Sequence, residues 1–290
     1  PVLLKDNYKW DTLFQNTASI LTIHNIGYQG RFSKDTVLKA GLDETLYYPG
    51  GPLEFHNSFS FLKTGILFSE VISTVSETYA KEIMTPEYGA GMENILLSRK
   101  DDLYGILNGV DYDVWNPETD KLIPHNYSID NLSGKLQNKK FLLQNLNLPF
   151  DENVPLIGIV SRFVSQKGID LLASTFNRLI QLPVQWAFLG SGSSYYEDLF
   201  RSFAYAVPKK AAVYIGFNNE LAHLIEAGSD MFLMPSLYEP CGLNQIYSLK
   251  YGTVPVVRKT GGLADTVIDW HEYLHYGEES GTGFSFNDYN

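Results

Sequence analysis

The chain has 290 residues, 44% of them hydrophobic and 19% charged, with a formal net charge of −11. That length allows one large domain or two medium ones, and the acidic balance argues against a nucleic-acid surface or an anionic membrane face. A single cysteine, Cys241, excludes a disulfide framework and a thiolate metal site.

No apolar run approaches the ~20 residues of a membrane-crossing helix. The chain opens PVLLKDNYKW and closes on GFSFNDYN, so both ends read as cut, and the lack of a signal peptide says nothing of compartment. A reducing cytosol is the simplest setting for one thiol. Nineteen tyrosines and seventeen phenylalanines suit either a carbohydrate binder or an aromatic core.

In the first half, SILTI (19–23) reads as a buried strand. It delivers His24-Asn25-Ile26-Gly27-Tyr28-Gln29-Gly30 to its carboxyl end, where open α/β sheets bind ligands. By pattern alone, His24 is a hydrogen-bonded structural histidine. Residues 59–68 read as a helix and 71–75 as a strand, with Ser76 the N-cap of the next helix. Lys63-Thr64-Gly65 lacks the preceding glycine loop of a phosphate-binding motif. A strand at 103–107 leads into NGVDYDVWNP (108–117). There Asp111 and Asp113 form either a D-x-D metal pair or turn residues, and the turn is the preferred reading. From Pro117 to Leu148 the chain is polar, with Leu136, Leu143 and Leu146 on one helical face. This reads as an interdomain linker, giving domains 1–148 and 149–290.

The second half alternates strands and helices. Strands are expected at 156–160, 184–190, 212–216, 231–235 and 254–258, with a helix at 169–180. The alternation predicts a parallel sheet covered on both faces, a Rossmann-like domain. SRFVSQKG (161–168) puts Arg162 and Lys167 in a strand-to-helix loop, where a helix N-terminus already favours anions. Standing alone, the pair also reads as solvated basic side chains. Gly190-Ser191-Gly192 lacks the third glycine of a dinucleotide fingerprint and is expected to let backbone pass close to a ligand. Phe217, at the end of the third strand, is either an aromatic platform for a base or a core residue.

The stretch 236–267 holds Glu239, Cys241, Gly242, Leu243 and Asn244, a helix through Lys250, the strand VPVVR, and the turn Thr260-Gly261-Gly262. A glycine turn between strand and helix is expected to aim backbone N–H groups at a phosphate. Further on, His271-Glu272-Tyr273-Leu274-His275 fits the H-E-x-x-H zinc pattern but is read as a decoy, since it lacks a firm helix and a good third ligand.

HN-x-x-YQG, TVSETYAKEI with EYGAGMENIL, NGVDYDVWNP, SR-x-x-x-QKG and EPCGLNQ…KYGTVPVVRKTGGLADTV occur in this order. Over about 19–287 they resemble the bacterial glycogen synthases and plant starch synthases (glycosyltransferase family 5). The resemblance implies an α/β GT-B fold, two Rossmann-like domains facing across a cleft. It implies transfer of glucose from ADP-glucose to the non-reducing 4-hydroxyl of an α-1,4-glucan with retention, without a metal or other cofactor. It also implies a first domain lacking an earlier lysine-glycine-glycine motif, a second lacking its last helices, and a bacterial cytoplasm or a plastid as setting. Carried over residue by residue, His24 and Asn108 lie near the donor sugar, and Arg162 and Lys167 hold the diphosphate. Phe217 stacks on adenine and Glu239 stands by the reacting carbon. Cys241, Gly242, Leu243 and Asn244 line the diphosphate and glucose. Tyr247 occupies the place of the second glutamate of many retaining relatives, so two close carboxylates are not expected, and substitution on one face of the sugar is the implied course. UDP-glucose as donor, another retaining GT-B transferase, and a non-catalytic nucleotide- or glucan-binding fragment stay open.

Overall fold

The structure, a computed structural model, describes residues 1–271 and 280–290. Contacts divide it into two compact units, Pro1–Leu107 and Asn108–Asn290.

In the first unit, α1 (Val2–Lys5) precedes β1 (Ile20–Ile23), followed by β2 (Arg31–Phe32), α2 (Asp35–Lys39), β3 (Glu54–Phe55), β4 (Ser58–Ser60) and α3 (Phe61–Phe68). Then come β5 (Val71–Thr74), α4 (Glu77–Glu82), α5 (Glu93–Ser98) and β6 (Leu103–Gly105). Strands β1, β5 and β6 form a parallel sheet in that order. β1 lies at its edge, so only Ile23 is buried and Ile20 is exposed, against the expectation of a buried strand. Ser76 caps α4 as expected, its hydroxyl accepting from the Tyr79 amide at 3.0 Å. Lys63 is buried on α3, with its ammonium donating to the carbonyls of Gly51 (2.8 Å) and Glu54 (2.7 Å). It braces a loop and is not presented to a ligand.

The sequence reading missed the antiparallel sheet β2-β4-β3. Its hairpin turns on His56 and Asn57, both at positive φ, as a two-residue loop matching strand twist requires. The buried Glu54 carboxylate holds the turn by accepting from the amides of Asn57 (2.6 Å) and Gly50 (2.8 Å). These contacts keep its carboxyl below the usual carboxylate range.

The second unit contains α6 (Ser133–Asn145), β7 (Leu156–Phe163), α7 (Ile169–Leu179), β8 (Gln185–Gly192), α8 (Ser194–Ala206) and β9 (Ala211–Ile215). These are followed by α9 (Asn219–Gly228), β10 (Met231–Met234), α10 (Asn244–Tyr251), β11 (Val254–Arg258), α11 (Gly261–Thr266) and β12 (Phe284–Phe286). The six strands pair in parallel in the order β12-β11-β10-β7-β8-β9. Counted within the unit this is 6-5-4-1-2-3, the doubly wound order, and the strand order switches sides between β7 and β10.

Both faces of the sheet are buried, which is why its strands read as near-continuous apolar runs. On β8, Ala187 and Leu189 join one core with Leu142, Leu224, Ile225 and Phe232. Trp186 and Phe188 face the other, with Phe163, Phe200 and Phe203. Rings there meet tilted at 4.6 Å (Phe188–Phe200) and edge-on at 4.0 Å (Phe176–Phe203). Much of the aromatic content therefore serves the core.

Segment 108–148, read as a linker, packs with the second unit, so contacts divide the chain at Leu107–Asn108 and not near Pro149. Its polar residues have backbone partners. The buried Asn138 accepts from the His125 amide (3.1 Å) and donates to the His125 carbonyl (2.7 Å), while the Tyr127 hydroxyl donates to the Tyr251 carbonyl (2.8 Å). Lys139 pairs with Asp230 at 2.7 Å. Composition alone cannot separate side chains spent this way from solvated ones.

Behind this segment, Glu226 on α9 is buried and accepts from the Ser248 hydroxyl at 2.7 Å. Burial pushes its carboxyl up to about 8, against the Ser248 contact and the charge of Lys135. The folded state thus keeps a proton that the unfolded chain releases near 4.5, and stability should fall as pH rises from about 4.5 to about 8. Lys135, pushed down to about 8 by burial, adds the opposite slope from about 8 to its unfolded value near 10.5. We expect a stability minimum near pH 8. Glu226→Gln, neutral and still an acceptor for Ser248, should remove the descending limb, worth up to ~1.4 kcal/mol per pH unit. Urea midpoints followed by tryptophan fluorescence from pH 5 to 8 test this. Equal slopes in wild type and variant would refute it.

Candidate active site

Where β7 and β10 diverge, the loops after their carboxyl ends lie side by side, the place at which doubly wound sheets bind ligands. The loop 164–168 lies directly on the loop after β10, with the Leu237 amide donating to the Gln166 carbonyl at 2.9 Å. Gly168 (φ +74°) permits this, since a Cβ there would collide with the Pro235 carbonyl.

The two loops exchange one ion pair. Lys167 Nζ meets a Glu239 carboxylate oxygen at 2.5 Å, and the Ser236 hydroxyl donates to the same oxygen at 3.0 Å. Glu239 is only 5% exposed. Lys167 is thus committed to Glu239 in this structure, where the sequence reading aimed it at a diphosphate. Arg162 is exposed at the penultimate position of β7 and donates to Gln166 Oε1 at 3.2 Å.

Arg162 also lines a cavity of about 240 Å³ with Val160, Ser161, Ser191 and Phe217. Phe217 is 90% exposed at its rim, following Gly216 at φ +138°. That exposure removes the core reading of Phe217. Gly190 and Gly192 let β8 close on β7, because a Cβ on either would strike the carbonyl of Ser161 or Phe163. Their first use is strand on strand, although Gly190 also lines the cavity.

The glycine turn differs from expectation. The Gly262 amide donates to the carbonyls of Glu239 (3.1 Å) and Pro240 (3.2 Å), and those of Leu263 and Ala264 donate to the Thr260 carbonyl. A Cβ on Gly261 would collide with the Glu239 carbonyl, and one on Gly262 with that of Cys241. These glycines seat the Glu239 loop on α11 backbone to backbone; the Gly262 amide does not await an anion.

Cys241 is buried, and the Asn108 amide donates to its sulfur. Burial pushes the thiol up, opposed by that amide and reinforced by the charges of Glu239 and Asp265. Gly242 (φ +70°) turns the chain into α10, and Gln245 Nε2 donates to the carbonyls of Cys241 (3.1 Å) and Gly242 (3.0 Å). Leu243 takes the N-cap position, and Asn244 Nδ2 donates to the Val160 carbonyl at 2.9 Å. One hydrogen of the Asn244 amide is therefore spent on the scaffold. Asn108, Arg162, Lys167, Phe217, Glu239, Cys241, Gly242, Leu243 and Asn244 all belong to the second unit.

The family profile described as "Glycosyl transferases group 1" matches residues 144–289. The chain belongs to this family. Its residues 1–98 match a second profile, "Starch synthase catalytic domain". Over 289 residues the chain is 51% identical to glycogen synthase of Thermosipho africanus and 48% to that of Thermosipho melanesiensis, and it covers 59% of each. It superposes with a TM-score of 0.89 on the catalytic domain of starch synthase IV from Arabidopsis thaliana bound to ADP and acarbose. The two are 32% identical, with 100% of this chain and 60% of that one covered. The two α/β units are those of an incomplete GT-B fold.

Two supports of this candidate site were missed in the sequence. Arg258, at the end of β11, is buried and donates to the carbonyls of Leu237 (2.5 Å) and Asn287 (3.1 Å) under the Tyr289 ring. The only signal was a lone arginine closing an apolar strand. Tyr289 ties the last described residues to Asp170 by a 2.6 Å hydrogen bond. In the first unit His24 is exposed just past β1, on a loop held by the Tyr79 hydroxyl, which accepts from the Ile26 amide at 3.0 Å. Asp111 spends a carboxylate oxygen on the Asp113 amide (2.9 Å), the turn role preferred for it. Of the H-E-x-x-H segment, His271 lies against Phe284, and residues 272–275 fall outside the described residues.

Proposed function

We propose that the chain carries the donor machinery of a glycogen synthase, moving glucose from ADP-glucose to the non-reducing 4-hydroxyl of an α-1,4-glucan with retention. The observation that carries this reading is the buried Glu239–Lys167 pair beside the cavity edged by Arg162 and Phe217, at the reversal point of the sheet. The glycogen synthase relatives and the ADP- and acarbose-bound neighbour support the same donor and acceptor classes. The chain spans about 59% of those relatives' length, so the reading concerns the whole protein to which this sequence contributes.

In this reading adenine stacks on the exposed face of Phe217, and Arg162 forks onto diphosphate oxygens. Glu239 stands by the anomeric carbon, its charge balanced in the resting site by Lys167. As the C1–O bond breaks, its electron pair leaves on ADP, and Arg162 with Lys167 stabilises the growing charge. The acceptor 4-oxygen bonds C1 on the face the diphosphate leaves, its proton passing to a departing phosphate oxygen. His24 and Asn108 hydrogen-bond the glucose. No metal or other cofactor enters, and no nucleic-acid or membrane partner is invoked. No helix among the described residues is long and apolar enough to cross a membrane. The setting is a bacterial cytoplasm, or a plastid for a plant or algal source.

Calorimetric titration with ADP and UDP tests the base site, and transfer of radiolabelled glucose to a malto-oligosaccharide tests the reaction. Phe217→Ala should weaken ADP binding about tenfold, the loss of one base–aromatic stack of ~1–3 kcal/mol. Arg162→Ala should weaken it further. ADP binding without transfer would leave a donor-binding segment only. A folded chain binding neither nucleotide would overturn the reading.

A further inference from the structure

Loop 109–114 runs from Asn108 to Trp115 and, apart from Lys250 Nζ over the Tyr112 ring at 5.8 Å, has little packing of its own. Gly109, Asp111, Tyr112, Asp113 and Val114 are all exposed. At one end the Asn108 amide donates to the sulfur of buried Cys241. At the other, Trp115 is sandwiched between two rings from different helices. His223 of α9 stacks on it at 3.7 Å and 14°, and Tyr247 of α10 at 3.9 Å and 4°. Tyr251 adds an edge contact at 6.2 Å. Beyond Trp115 the chain is pinned again, because one oxygen of the buried Asp120 carboxylate accepts from His223 Nδ1 (2.8 Å) and the Tyr251 hydroxyl (2.6 Å). Its other oxygen accepts from the Leu122 amide (2.8 Å). Within the loop, the Trp115 amide donates to the Asp111 carbonyl at 2.9 Å, and the Asp113 amide to the Asp111 side chain, which shortens the path back to Asn108.

We propose that the His223–Trp115–Tyr247 stack, braced by Asp120, is a positioning device that presses the Asn108 loop onto Cys241 and so holds Asn108 at the donor site. Trp115, His223, Tyr247 and Asp120 act through Asn108 and touch no substrate. Tyr247 fills its place in the chain because a flat ring can close the stack, which a carboxylate cannot. Two stacked contacts on a half-buried indole, one of them to the fully buried His223, suffice to keep so sparsely packed a loop closed. The consequence for transfer rests on the donor-site reading above; the closing of the loop does not.

Cys241 is the single thiol of the chain and is buried with its sulfur against the Asn108 amide, so its reaction with a disulfide reagent reports release of that end of the loop. Under native conditions Trp115→Ala should label at least about tenfold faster than wild type, the equivalent of ~1.4 kcal/mol of lost local closure. Trp115→Phe, still a stackable ring, should stay near wild type. Tyr247→Leu, a gentler cut that serves if Trp115→Ala does not fold, should also label faster. Leu224→Ala, a core variant with the stack intact, should not. In the transfer assay Trp115→Ala should lower kcat while ADP affinity from calorimetry holds, and Trp115→Phe should restore kcat. Labelling that follows global stability, with Leu224→Ala as fast as Trp115→Ala, would overturn the proposal, as would equal labelling in all variants. Loss of ADP affinity in step with kcat would also overturn it. Should no form transfer glucose, the transfer step of the proposed function is what fails, and the labelling rates still decide the stack.

Discussion

Lys167→Ala should both abolish transfer and destabilise the second unit by about 3–5 kcal/mol, the cost of leaving a buried charge without its partner. Glu239 is 5% exposed and has one oxygen shared by Lys167 at 2.5 Å and Ser236 at 3.0 Å. Without the ammonium, a single hydroxyl remains to offset a desolvated carboxylate. Glu239→Gln is gentler on the fold, because its amide oxygen can still accept from Lys167 and Ser236, and the lysine left behind is 20% exposed. We expect a loss of about 1–2 kcal/mol for it, with transfer still lowered by at least ~10²-fold if the charge acts on the reacting carbon. Replacing both residues by apolar ones of like size should recover most of the stability and none of the activity. Urea midpoints and transfer assays on the three variants separate these roles. A Lys167→Ala protein with wild-type stability would mean that the pair is not the buried contact described here.

Gly262→Ala should be nearly as damaging to the fold, for a reason without charge. A methyl group there would overlap the Cys241 carbonyl oxygen and lie 2.5 Å from its Cα. Both are main-chain atoms that no side-chain rotation can move aside. The Glu239 loop would have to lift from α11, breaking the Gly262 amide bonds to the carbonyls of Glu239 and Pro240. We expect a cost of about 3 kcal/mol or more, the upper range of overpacking. Gly261→Ala adds a strained φ of +45° to a similar collision. Gly109 is the control, since nothing lies within 4 Å of a Cβ placed there. Gly109→Ala should melt with wild type, and thermal unfolding of the three variants decides the matter. An unaltered midpoint for Gly262→Ala would show that the loop is not seated as described.

The alternation of the second half made its sheet legible, and VPVVR is a strand over the residues predicted, 254–258. Strands β7 and β8 run on to Phe163 and Gly192, past the apolar run, because Ser161, Arg162, Ser191 and Gly192 continue the ladder above the core. The β2-β4-β3 sheet was not legible, since strands of two or three residues carry no period. Arg162, Lys167 and Glu239 could be picked out from motifs, but their partners could not. Lys167 meets Glu239 across 72 positions, and Asp120 meets Tyr251 across 131. Local spacing holds no record of such pairings. The Gly261-Gly262 turn was misjudged for a related reason. A glycine that admits a phosphate and one that admits a carbonyl look alike until the neighbouring chain is seen.

Because main chain meets main chain at Gly168, Gly190, Gly261 and Gly262, much of the wall of this site is closed to side-chain replacement. Evolutionary drift is left the rim, at Ser191 and Phe217, where the chain is open to solvent and edges the cavity. On the donor-site reading proposed above, nucleobase choice and sugar chemistry are then separable. The first can wander by point changes at the rim, while the second is locked into the path of the backbone. A laboratory library that varied only the rim could retune the base while leaving the Glu239–Lys167 pair in place.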